Sequence, residues 1–500
     1  MKHCNRQIAP VVPVSRTHEG PYGHLFPELP GWKPAATDPA DIRQKIADLA
    51  LTMRESNVNT IDEAADRFIR QSLQSRFDSR TPAGYIYLGQ FMVHDITFDP
   101  TSLQMRYQDP NSLTNFRTPR LDLDSLYDRG PLASPYLYNK NSQGKFLISK
   151  FAVDDFTLPD LPRSLPADQG LAIIADPRND ENAITSQLHL AFMLAHNHLV
   201  DKAASLAQPF ESARQTLVWL YQYIIWNDLL KRLTASSVHQ QALKRSDSMG
   251  YTRWETGFDS VYNWKTHPFI PVEFSMAAFR MGHSMVKPSY QTNNLHGANN
   301  FIALFSTDPQ NKPDLRGNKR MTLNNSIQWN WFLDMGSTDS NFPQHARKID
   351  TTLAASMFEL PDNISGHKSQ SNLAYINLMK GVEMQLPAGS AVAKRLGVKP
   401  IQIDEEQDAL WYYILKEAGG TAVGEPAGEH LGEVGSIIVC ATIAGILLGD
   451  PNSYLRQAPE WTPDEDPLLK DSGYADPDGK WTLASIIRLS GLEPDGIGFK

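Results

Sequence analysis

Apolar residues recur with a helical period along most of the chain. That period predicts helices at 42–56, 61–75, 85–97, 182–207, 213–234, 271–286, 353–358, 407–418 and 433–448. Strand-like alternation is scarce, so the expected fold class is mainly α. Residues 1 to about 40 hold seven prolines and little periodicity, which predicts an extended arm on a single helical domain over 41–500. The irregular connections 100–119 and 290–316 are rich in Asn, Asp, Pro and Gly, and loops of that length tend to be functional. No internal repeat or low-complexity tract is present, which argues against a solenoid.

Composition narrows the function classes. A chain of 500 residues with 41% hydrophobic and 21% charged residues is ordinary folded protein with ample material for a core. A net charge of -9 and the absence of any Lys/Arg run make nucleic acid an unexpected partner. Cys4 and Cys440 alone build no disulfide framework, no Cys-x-x-Cys pair and no haem-attachment motif. The longest apolar stretch, 437–448, is too short to span a bilayer and reads as a buried core helix, so no transmembrane segment is expected. No secretory signal is visible, and localisation and oligomeric state stay open. His-Glu-x-x-His, Gly-x-Ser-x-Gly, P-loop and Glu-x-x-His signatures are all missing. The run Ala195-His196-Asn197-His198 only superficially resembles a nuclease motif, because it falls within a helical pattern on an acidic chain.

Inside the apolar run 85–97 sit three polar side chains, Gln90, His94 and Asp95. Burying polar groups is costly unless something pairs with them. Four residues apart, Gln90 and His94 share a helix face, while Asp95 is turned about 100° away. Two different partners are implied. The stretch Thr118-Pro119-Arg120-Leu121-Asp122-Leu123-Asp124 offers one. In extended chain Thr118, Asp122 and Asp124 share a side with the Arg120 carbonyl, and hard oxygens at that density suit calcium. A polar strand edge or an Asx-turn accounts for these residues equally well.

Asp176-Pro177-Arg178-Asn179-Asp180-Glu181-Asn182 has the form of a helix start, with Asp176 as N-cap, Pro177 first and acids in the first turn. That form leaves Arg178 unexplained. It shares a face with Glu181 and, turned inward, offers a fixed cation, although a surface ion pair is the commoner outcome. In Phe279-Arg280-Met281-Gly282-His283-Ser284-Met285-Val286, Gly282 weakens the helix, which is tolerable where something large and flat approaches the backbone. A metal-ligating histidine needs its other ring nitrogen fixed, and Asn377 is a candidate for fixing His283. Alone, His283 reads more readily as a structural residue.

Taken in order, these four elements resemble the peroxidase-cyclooxygenase superfamily, the animal-type haem peroxidases, and particularly their bacterial members. The resemblance runs from about residue 81 to 455. It implies a mainly α-helical fold holding haem b between a distal and a proximal helix. Gly89-Gln90-Phe91-Met92-Val93-His94-Asp95 would carry the catalytic histidine, His94, and a calcium-ligating aspartate, Asp95. The family's calcium loop falls on Thr118, Arg120 through its carbonyl, Asp122 and Asp124. Its catalytic arginine corresponds to Arg178, its iron ligand to His283, and the partner of that ligand to Asn377. Arg280 matches a residue contacting a haem propionate, and Gln90 one near the halide site.

Several positions depart from the family pattern. Of the two carboxylates that link haem covalently in some members, Glu181 is retained and the other position is Val93, which forms no ester. Asn182 stands where a sulfonium-forming Met occurs, and Lys380 stands where an Arg usually meets a propionate. Arg280 also occupies the place of the radical-forming Tyr of the fatty-acid oxygenases.

The function expected from this resemblance is a haem peroxidase. It would reduce hydrogen peroxide through an oxyferryl intermediate and oxidise halides or small phenolic and other organic donors. The alternatives are a haem-dependent dioxygenase acting on a fatty acid or biosynthetic intermediate, and a haem-binding protein without turnover.

Overall fold

The computed structural model describes residues 22–55, 77–98, 115–142, 144–153, 156–164, 170–248, 251–264, 267–295, 301–306, 313–361, 371–420, 426–470 and 473–492. The fold is mainly helical, and its strands form two-stranded ribbons among the described residues. The principal helices are α1 (Pro39–Thr52), α2 (Gly84–Ile96), α3 (Ala183–Lys202), α4 (Pro209–Ile224), α5 (Leu373–Glu383), α6 (Leu410–Gly419), α7 (Glu433–Gly449) and α8 (Leu483–Ser490).

The centre of the molecule is α3, buried over most of its length and packed against α2, α4 and α8. Helix α7 is apolar on nearly every side and lies within the core, while α3 buries polar side chains such as Gln187, His189 and His196 along with its apolar ones. No helix among the described residues is long and apolar enough to cross a membrane. The ribbon of Asp78–Pro82 with His345–Arg347 leads into α2. At the first residue of that helix only glycine fits, because a Cβ on Gly84 would lie 2.8 Å from the Phe332 carbonyl. Past the end of α4 the helix runs on through a π-turn, Ile225–Leu230. There Asp228 accepts the Tyr85 hydroxyl (2.6 Å) and the Leu483 amide (3.1 Å), tying α2 and α8 to the turn.

Three helical expectations need correction. The pattern 271–286 is not one helix: Val272–Met276 ends at Ala277 (φ -130, ψ -75), and the short turns Ala278–Met281 and Gly282–Met285 follow. Arg280 Nε caps the freed carbonyl of Ser275 at 3.2 Å, so a side chain offsets the backbone bonds lost at the break. The helix expected over 182–207 starts at Ala183 with Asn182 as its cap, and Asp176 instead caps a separate 3₁₀ turn, Pro177–Asp180. Only Ala355–Phe358 of the segment 353–358 is helical, again as a 3₁₀ turn. Helices α5 and α8 were not expected at all, and the pattern 61–75 lies outside the described residues.

Candidate functional site

A cavity of about 530 Å³ opens between α2 and the broken segment after Ala277. Gln90, Val93 and His94 reach it from α2, Arg178 and Glu181 from the Pro177–Asp180 turn and its end, and Arg280, Gly282 and His283 from the broken segment, with Asn377 of α5 also in its wall. The helix period thus turns Gln90 and His94 to the cavity and Asp95 away from it.

Around His94 the polar groups are closely held. Its Nδ1 lies 2.8 Å from Asn179 Oδ1. Burial pushes its pKa down to about 4, and the Arg178 charge adds to that shift, so the ring is neutral near pH 7. Arg178 is fixed from several sides. Its Nε and Nη2 donate to Asp176 (3.0 and 2.7 Å), and Nη2 also donates to the carbonyls of His94 (2.9 Å) and Thr97 (2.7 Å) at the open end of α2. Nη1 makes no hydrogen bond among the described residues. Burial alone would raise the Asp176 carboxyl, but its bonds and charge pairing with Arg178, together with Arg117, hold it well below the usual carboxylate range. Gln90 Oε1 accepts from Asn182 Nδ2 (3.1 Å) and Thr185 Oγ1 (3.0 Å), which leaves its NH2 group for the cavity. Burial raises the pKa of Glu181, partly offset by Arg178.

The His283 side is arranged differently. His283 Nδ1 lies 2.8 Å from Asn377 Nδ2, while Asn377 Oδ1 accepts from Arg280 Nη1 at 2.6 Å. Arginine only donates, so the amide oxygen must face it and the NH2 group then faces His283. Burial pushes the His283 pKa down to about 3, and Arg280 adds to the shift. Lys380, expected near a propionate, pairs instead with Glu383 (3.1 Å) and is absent from the cavity wall. Tyr290 is buried outside that wall.

Asp95, Asp122 and Asp124 bring carboxylate oxygens within 4.8 Å of one another, and no other such group of His, Cys, Asp or Glu occurs among the described residues. The chain reaches this arrangement through a turn rather than the extended segment expected from alternation. Leu123 takes a left-handed conformation (φ 56) and a short helix begins at Asp124, because Asp95 collects the amides of Leu123 (3.1 Å) and Ser125 (3.2 Å). Thr118 Oγ1 donates to Asp122 (3.0 Å), and Arg120 sends its side chain toward Asp450 (3.9 Å). Burial and then Asp122 push the Asp95 carboxyl up to about 7 and raise that of Asp124 as well. Asp124 Oδ1 is buried without a hydrogen bond, and its ion-pair partner at 3.4 Å, Arg117, also serves Asp176. The donor set is all oxygen and its negative charge is under-compensated, which suits a hard divalent cation.

Sequence reasoning missed two residues here, Asn179 and His189. Asn179 Nδ2 lies 3.1 Å from His189 Nδ1, so this buried amide bridges His94 and His189. The nuclease-like run is structural, since His196 is buried between Tyr127 Oη (2.9 Å) and the Gly144 carbonyl (2.9 Å).

Comparison with known proteins follows the same lines. The family model described as animal haem peroxidase matches residues 101–409. The chain belongs to the animal haem peroxidase family. It is 28% identical over 160 residues to chorion peroxidase of Drosophila melanogaster, covering 30% of this chain and 19% of that protein. It is 23% identical over 312 residues to human thyroid peroxidase, covering 56% of this chain and 30% of that protein. The chain thus spans less than a third of the length of either curated relative. Its fold is shared with peroxidase A of Dictyostelium discoideum (TM-score 0.55, 14% identity, 88% of this chain and 91% of that one). It is also shared with the fatty acid alpha-dioxygenase of Arabidopsis thaliana (TM-score 0.52, 14% identity, 79% and 73%).

Family membership implies haem binding, and the cavity fits that group. Two histidines, His94 and His283, and two arginines line it, and the rest of the wall is largely apolar. A Cβ on Gly282 would meet nothing within 4 Å, so no packing inside the chain demands this glycine and it borders free space beside His283. Ligation through His283 Nε2 asks for a proton on Nδ1 donated to an acceptor. Turning the Asn377 amide over, with Arg280 moved off its oxygen, would supply that acceptor. His94 and Asp95 lie just before the matched segment, so their reading rests on geometry.

Proposed function

We propose that this chain is a haem-dependent peroxidase that reduces hydrogen peroxide and oxidises a halide or a small organic, phenolic donor. One observation carries the reading: neutral His94, the fixed cation of Arg178 and the hydrogen-bonded His283–Asn377 pair line the same cavity. Haem b bound there would supply the redox change between peroxide and donor. His283 would hold the iron, Asn377 would fix the ring of His283, and Arg280 would meet a propionate.

The chain's own groups manage protons and charge. Neutral His94 takes a proton from one peroxide oxygen and returns it to the other, which an imidazole titrating below neutrality can do. Arg178 offers Nη1 to the negative charge on the departing oxygen. Gln90 presents an N–H donor to an anionic donor such as a halide. Glu181 would be the carboxylate available for an ester to haem, since Val93 fills the other position and no second carboxylate lines the cavity among the described residues. Calcium held by Asp95, Asp122, Asp124, Thr118 and the Arg120 carbonyl would clamp the loop to α2 one residue from His94. We read the described residues from 41 on as one helical unit; of the arm expected over 1–40, residues 1–21 lie outside the described residues.

The test is to add haem to the purified protein and follow absorption and turnover. A Soret band with peroxide-dependent oxidation of iodide or a phenol is expected. Oxygen uptake without peroxide would replace this reading with a dioxygenase, and a Soret band with neither activity would leave only haem binding.

A further inference from the structure

Asn179 has no exposed surface and His189 is 1% exposed, and neither lines the cavity. Between them and His94 runs a short chain of contacts: His94 Nδ1 to Asn179 Oδ1 at 2.8 Å, and Asn179 Nδ2 to His189 Nδ1 at 3.1 Å. An amide has one accepting end and one donating end, and a neutral imidazole carries one N–H. Placed between two Nδ1 atoms, the amide forces the rings into opposite tautomers. The ring at the oxygen carries its proton on Nδ1, and the ring at the nitrogen carries it on Nε2.

We propose that Asn179, oriented by His189, is a positioning residue that holds His94 in the Nδ1–H tautomer and keeps its Nε2 lone pair for the cavity. This deepens the peroxidase reading and rests on it for the role of His94. Only the Nδ1–H form accepts a proton at Nε2, and the reversed amide would put a hydrogen there and remove the base. The backbone around Asn179 is built to hold still. Its own N–H donates to the Asp176 carbonyl (3.0 Å), and Arg163 grips the neighbouring Asp180 through Nη1 (2.6 Å) and Nη2 (3.0 Å). The other end of the unit is fixed by α3, which carries His189 in the core.

The experiment is long-range 1H–15N correlation on the full chain labelled with 15N-histidine, with signals assigned through His94→Gln and His189→Gln. The wild type should show His94 protonated on Nδ1 and His189 on Nε2. Asn179→Leu should scramble the His94 tautomer. Asn179→Asp gives the decisive pattern, because a carboxylate accepts from both sides: His94 should stay Nδ1–H while His189 switches to Nδ1–H. In haem-loaded protein, Asn179→Leu should slow the reaction with peroxide by about 10-fold or more, and Asn179→Asp should restore most of it. A wild-type His94 protonated on Nε2, or a His189 that keeps its tautomer in Asn179→Asp, overturns the proposal. If the tautomers are as stated but the haem-loaded chain ignores peroxide, the lock stands and the peroxidase reading falls.

Discussion

On the α2 side of the cavity the chain itself holds each group where peroxide chemistry would use it. Asp176 and two carbonyls grip Arg178, Asn179 meets His94, and Asn182 with Thr185 orients Gln90. On the His283 side the contacts are half-buried, and Arg280 occupies the amide oxygen that an iron-bound histidine would need. The difference follows from local structure. Gln90 and His94 stand on a regular helix and Arg178 on a capped turn, whereas Arg280 and His283 stand on short turns after the break at Ala277. On the proposed reading, preorganisation belongs to the side that would act on a transient substrate. The other side would rearrange once, on taking up haem.

Substitutions that separate the two sides put this contrast at risk. His283→Ala should abolish stable haem binding, seen as loss of the Soret band, and added imidazole should restore part of it. Arg178→Met should leave the Soret band in place yet slow the reaction with peroxide by about 10²–10³-fold, the usual loss when one fixed donor to developing charge is removed. Because Arg178 also caps α2, Arg178→Lys with a thermal melt separates charge from capping. Asn377→Leu should weaken haem retention about 10–100-fold and lower the iron–histidine stretching frequency, as loss of an outer partner does. Equal loss of peroxide reactivity and haem affinity in the Arg178 and Asn377 variants would erase the distinction between the sides.

Cation removal is the mildest perturbation. The Asp95 carboxyl is pushed from 3.8 up to about 7 by burial and by Asp122. The folded chain therefore keeps a proton that the unfolded chain releases. Stability present below about pH 4 is lost as pH rises through about 7. In chelator the melting temperature should fall across that window, and calcium should flatten the fall. A melt indifferent to both pH and calcium would remove the cation from the account.

Legibility in the sequence followed how local the determining interactions are. The two-faced geometry of Gln90, His94 and Asp95 was readable because one helix period sets it. The acidic cluster was readable in composition but not in path. Leu123 turns left-handed to satisfy Asp95, a contact 28 residues away that no local pattern announces. The break at Ala277 was hidden because apolar residues continue on both sides of it. Asn179 was absorbed into a helix-start pattern and His189 into an apolar helix, and only tertiary packing shows that they meet. Helix α5 was missed although Asn377 within it was singled out, since a motif can be recognised without its element.

The most direct test of the central claim is stopped-flow mixing of hydrogen peroxide with haem-loaded wild type and His94→Ala. Both should show the same Soret band, because His283 is intact, and the variant should react about 10²–10⁴-fold more slowly, the range for a lost general acid–base group. Equal rates in the two proteins would contradict the account.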